Sequence, residues 1–142
     1  MKKLLLTVLV AGSTSAATAA AQDGTVRISP EATYENALVC YQHYATGVEL
    51  ARKLEKSPQA SADAAAGFQL QAIALRKVLT SWSDYLGQKA GDRPKTEIDA
   101  DLKKLGDPVV ADANAALQGD KAAAQRGVAR SEMCANLETV KG

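Results

Sequence analysis

The chain has one histidine, two cysteines and two methionines in 142 residues. Those scarcities close off much chemistry. A nucleophile–His–Asp arrangement would have to use His43, and no Gly-x-Ser-x-Gly elbow accompanies it. Structural zinc lacks ligands beyond that histidine and the cysteines. Covalent haem attachment needs Cys-x-x-Cys-His, whereas Cys40-Tyr41-Gln42-His43 has a single cysteine and its histidine one position early. No glycine-rich loop follows a strand, so nucleotide-binding fingerprints are missing. No apolar run reaches the roughly 20 residues that a membrane-spanning helix needs. No window alternates with period two for long enough to suggest a strand, and no repeat or low-complexity linker interrupts the chain. Carboxylate pairs such as Asp99 and Asp101 sit near helix starts, where the helix dipole accounts for them. No catalytic residue is expected, and the chain reads as a non-enzyme.

Excess charge is missing too, with 17 basic and 16 acidic residues. The basic ones come in scattered pairs, Arg52-Lys53, Arg76-Lys77 and Lys103-Lys104. This balance argues against nucleic acid or an anionic membrane as a partner.

What is present begins with Met1-Lys2-Lys3, an apolar run from Leu4 to Ala11, and small residues ending in Ala19-Ala20-Ala21. Positive, apolar and small-residue regions in that order read as a secretory signal peptide over residues 1–21, cleaved near Ala21. Ser13 stands where a lipoprotein would carry its lipidated cysteine. The expected product is periplasmic or secreted, soluble and without a membrane span. Its 121 residues, 142 less 21, suit one domain. We expect an irregular arm over 22–29 and a single helical domain over 30–140. Two cysteines in an exported chain point to a Cys40–Cys134 disulfide.

Helical spacing of apolar residues marks four helices. The first is expected from Pro30, capped by Ser29, to about Lys56. The second starts near Ser61, or a turn earlier with Pro58 inside its start, and carries the stripe Phe68, Ala72, Leu75, Leu79, Trp82 and Leu86 to Gly91. The third starts between Pro94 and Glu97, where Thr96 and Asp99 resemble a capping box. Gly106-Asp107-Pro108 interrupts it while the apolar phase continues, which makes it either kinked or split in two. The fourth runs from about Lys121 to Thr139. The fold class is therefore all-α, an up-down four-helix bundle with one disulfide joining first and last helices. In that topology those two helices are antiparallel neighbours, and the cysteines fall at similar heights.

The same topology gathers aromatic residues at one end beside the disulfide. Tyr41, His43, Tyr44, Trp82, Tyr85 and Met133 form a candidate ligand or partner patch, with the bulk of the core as their plainer role. The favoured function is a non-enzymatic interaction protein of inhibitor, immunity or stress-protective type, whose partner is another envelope protein. No cofactor or metal is expected. The alternative is a small-ligand, haem or metal carrier in which His43 and Met133 hold iron.

Overall fold

The computed structural model describes residues 26–140. Among them are four helices, α1 (Tyr34–Glu55), α2 (Ala62–Ala90), α3 (Lys95–Leu117) and α4 (Lys121–Asn136). Two short strands, β1 (Val26–Ile28) and β2 (Glu138–Val140), flank them. The signal segment and residues 22–25 of the arm lie outside the described residues.

Local chemistry sets most boundaries. Ser61 accepts the Ala64 N–H at 3.2 Å to start α2, and Gly91 (φ 54°) ends it. Asp120 caps α4 by accepting the Ala123 N–H at 3.0 Å. Two expected caps are displaced. α1 starts at Thr33, which accepts from the Asn36 N–H at 3.1 Å while the Asn36 carbonyl oxygen accepts from the Thr33 N–H at 3.0 Å. That reciprocal pair outdoes Ser29-Pro30, which lies in a turn instead, with the Ala32 N–H bonded to the Ser29 carbonyl at 3.0 Å. α3 starts at Pro94 with no side-chain cap, so the Thr96–Asp99 box does not form. Asp99 pairs with Lys95 at 2.5 Å instead.

α3 is one helix, not two: Pro108 lies within it, on its exposed side. Gly106 serves a close approach of helices. A Cβ there would stand 2.9 Å from Gln42 Cγ on α1, inside normal contact.

The arm is not wholly irregular. β1 pairs antiparallel with β2, with Val26 opposite Val140, Arg27 opposite Thr139 and Ile28 opposite Glu138. The Ser29 N–H extends the ladder to the Leu137 carbonyl at 2.7 Å. α4 consequently stops at Asn136, three residues short of the expected Thr139, because the chain turns to supply this strand. Strands of three residues are too short to show an alternating pattern in the sequence.

α1 runs antiparallel to α2 and α4 and parallel to α3. Gly47 meets Leu75 and Tyr85 reaches Ala32, whereas Tyr34 meets Asp101 and Gln42 meets Gly106. α1 packs against all three other helices, and α3 against α4, while the consecutive pair α2 and α3 scarcely touch. α1 is thus the hub, and the core collects around Leu38, Cys40, Leu75, Val78, Trp82 and Cys134. The Cys40–Cys134 disulfide joins α1 to α4 with a Cα–Cα distance of 5.7 Å. No helix among the described residues is long and apolar enough to cross a membrane.

Candidate functional site

The expected aromatic end assembles around a residue outside the expected set, Glu138. β2 brings its carboxylate back against the bundle, where it accepts the Trp82 indole N–H at 2.7 Å and lies beside Tyr44. Burial pushes the Glu138 carboxyl above its ordinary range, and Trp82 and Tyr44 pull it partly back. The same burial, and then the carboxylate beside it, push the Tyr44 phenol upward. Trp82 meets Tyr85 edge-on with centroids 6.0 Å apart, and the Tyr85 hydroxyl donates to the Ala32 carbonyl at 2.8 Å. Trp82 and Tyr44 are buried. Tyr41, Tyr85 and Met133 are half-buried against the same core cluster. These residues carry the bulk of the core.

His43 joins this group through an edge-on contact with Tyr44, at 5.3 Å between centroids. Its Nε2 is hydrogen-bonded to Ser131 Oγ on α4 at 2.9 Å. Burial, and then the nearby Arg130 guanidinium, push its pKa down to about 4, so the imidazole is neutral near neutral pH. Met133 has a different neighbour: its sulfur accepts from Asn36 Nδ2 at 3.9 Å. Asn36 and His43 are about two turns apart along α1. The two iron ligands of the carrier alternative therefore engage partners at different levels of the helix.

Beyond His43 lies a cavity of about 60 Å³ between α1, α3 and α4, with Leu75 of α2 in its wall. Its walls are largely apolar, with Leu50, Leu75, Val109 and Val128 among them. Its volume is well below the roughly 300 Å³ at which small-molecule pockets begin. At its edge Asp112 on α3 receives two arginines from α4. Arg126 donates to Oδ1 from Nε at 3.0 Å and from Nη2 at 2.6 Å, and Arg130 donates to Oδ2. The Arg126 hydrogen bonds, with those of Arg130, hold the Asp112 carboxyl below its usual range, although burial opposes them.

This fork was missed at the sequence level, but it left two signals. Arg126 and Arg130 are four residues apart, on one face of a helix. Asp112 falls within the apolar stripe between Val109 and Ala116, where a carboxylate needs a partner. Glu138 left no such signal, since only the turn after α4 directs it inward. Among the described residues, no group of three or more His, Cys, Asp and Glu side chains is placed to hold a metal ion.

The chain matches no protein-family model, no curated protein and no solved structure.

Proposed function

We propose that this is an exported, non-enzymatic protein that acts by presenting helical surface to another envelope protein, as inhibitors, immunity proteins and stress-protective holdases do. One observation carries the reading. The polar groups suited to chemistry are turned inward and spent on one another: His43 on Ser131, Asp112 on Arg126 and Arg130, Glu138 on Trp82. Among the outward side chains of the described residues, which are mostly charged or polar, stand four large apolar ones, Leu70, Ile73, Val110 and Leu117. A scaffold stapled internally, with apolar side chains standing on its outer surface, suits recognition better than turnover. Periplasmic or secreted placement is supported by the signal-like residues 1–21 and by a disulfide, which persists in oxidising compartments.

The test is chemical crosslinking in the envelope of the native host, followed by purification and mass spectrometry. The expected result is a reproducible adduct with one other protein, unchanged by His43→Ala. Native mass spectrometry of the uncrosslinked protein gives the opposing outcome. Extra mass that disappears on denaturation, and that His43→Ala abolishes, would replace this reading with a small-ligand carrier.

A further inference from the structure

Leu50, Leu75, Val109 and Val128 line the cavity of about 60 Å³ between α1, α3 and α4, and Arg130 stands in the same wall. An apolar cavity of about 150 Å³ takes up benzene, which is roughly 25 Å³ per carbon. On that scale this cavity has room for about two or three carbons. A whole cofactor or sugar is too large for it, and a short aliphatic tail is not. Gly127 is also in the wall, and a Cβ there would meet nothing within 4 Å. A mid-helix glycine is less stable than alanine, so α4 is weakened at a point where a side chain could have stood.

The polar edge of the cavity has charge and donors to spare. Two guanidinium groups share one carboxylate, Asp112, which leaves one positive charge without an ion pair among the described residues. Asp120 acts on Arg126 only at longer range. The charge of Arg130 reaches His43, where it is the second cause, after burial, of the lowered pKa. Arg130 gives Asp112 only its Nη2, and its Nε and Nη1 have no hydrogen-bond partner among the described residues. No polar side-chain atom sealed from solvent lacks a partner among those residues, so these two nitrogens are open to an incoming group. The Arg126 side chain is 54% exposed and that of Arg130 19%, which places the fork where the cavity edge meets solvent.

Free guanidinium donors match a carboxylate, and the apolar space beside them matches a short tail. An inorganic anion would use the charge and leave the apolar walls bare. A short alcohol would fill the walls and leave the charge unmet. We propose that the cavity and Arg130 form a binding site for a short-chain aliphatic carboxylate, of the size of propionate or butyrate, with its tail between Leu50, Leu75, Val109 and Val128. The proposal goes beyond the envelope-partner reading and does not rest on it. So small a ligand binds with affinity on the order of millimolar and is lost during purification. The native mass spectrum that tests the partner reading is therefore silent on this site.

Titration of the isotope-labelled, disulfide-bonded protein with sodium butyrate, at matched salt and pH, tests it by NMR. The expected result is a saturable shift of the Gly47, Gly127 and Val128 amides and of the Arg130 Nε–H. Acetate, shorter by two methylenes, should bind about tenfold more weakly. Butyramide, with the same tail and no charge, should give no saturable shift over the same range. Gly127→Leu, which builds into the open space, should bring butyrate down to the level of acetate. Arg130→Gln should abolish saturation. The ligand series needs no variant, so it decides the matter even where Arg130→Gln loosens α4. No saturation by about 100 mM butyrate overturns the proposal. So does an equal response to acetate, which would mean that the tail does not enter the cavity, or an equal response to butyramide, which would mean that the charge is not read.

Discussion

The two ends of the bundle are built by different means. At the end where α1 begins and α4 finishes, one region holds the disulfide, the β1–β2 ribbon and the Trp82–Glu138 hydrogen bond. There too, Arg93 lies 4.4 Å over the Tyr34 ring, and the Tyr34 hydroxyl donates to Asp101. At the opposite end, near the α1–α2 and α3–α4 connections, alanine, glycine, leucine and valine pack around a small cavity, and Leu70, Ile73 and Leu117 face outward. The difference shows how a helix with little apolar surface can be retained. α4 buries only Ala123, Ser131 and Cys134, so burial alone holds it weakly. A covalent bond, the arginine fork on Asp112 and the ribbon supply the rest.

Removing the strongest of these attachments should have the largest effect. Cys40→Ala with Cys134→Ala opens a loop of 94 residues, for which the chain-entropy estimate is about 4–5 kcal/mol. Urea unfolding should show a loss of that order. In hydrogen exchange the α4 and β2 amides should lose protection well before those of α1 and α2. Uniform loss over all four helices would mean that the two ends are one cooperative unit.

Acid should act next, at the boundary between the ends. His43 has a folded pKa of about 4 against an ordinary 6.5. The unfolded chain therefore binds its proton first, and stability falls as pH drops from about 6.5 to about 4. The limit is about 3 kcal/mol, from the 1.36 kcal/mol of each pKa unit. Glu138 works in the opposite direction. Its raised folded pKa means that the native state takes up the proton first, so its contribution grows as pH falls and is lost as pH rises through that value. His43→Gln should flatten the acid limb of a stability–pH curve, and Glu138→Gln should steepen it.

The fork can be broken separately. Asp112→Asn removes the charge shared by Arg126 and Arg130, and should cost about 1–3 kcal/mol in thermal or urea unfolding. The disulfide should keep this loss local to the α3–α4 contact. Because the Asp112 pKa is lowered in the fold, its contribution is present above the ordinary carboxylate value and fades as pH falls through the lowered one.

The smallest effects should differ in sign between two glycines. Gly127 stands in mid-helix with nothing within 4 Å of a Cβ, so Gly127→Ala should stabilise by about 0.5–1 kcal/mol. Gly106→Ala meets Gln42 Cγ at 2.9 Å and disturbs its hydrogen bond to Thr46, so it should destabilise. Paired melting curves decide this. Equal effects would show that the α1–α3 contact is as yielding as the cavity wall.

Much of the fold was legible. The starts of α2 and α4 were expected where they occur, because Ser61 and Asp120 act on N–H groups only three residues away. The antiparallel α1–α4 pair and its disulfide followed from helix rise and the heights of two cysteines. The start of α1 was misplaced because Ser29-Pro30 and Thr33-x-x-Asn36 both resemble caps. The choice between them depended on Ser29 being drawn into a ladder with Leu137, 108 positions away in sequence. Gly106-Asp107-Pro108 looked like a break because its real constraint, Gln42, lies on another helix.

Of the candidate site, the residue types were visible and their partners were not. Tyr44, Trp82 and Tyr85 were expected together, yet the Glu138 carboxylate that accepts from Trp82 beside Tyr44 comes from a strand too short to leave a pattern. The sequence by itself determined helix count, direction, two of the four N-terminal caps and the pairing of its only two cysteines. Those depend on periodicity, on neighbours within a turn and on a single choice of partner. Only the tertiary structure decided that α1 is the hub, that Asp112 faces two arginines, that His43 meets Ser131, and that Leu70 and Ile73 are left outside. Each of these depends on how finished helices rotate and slide against one another, which is settled by packing between residues far apart in the chain.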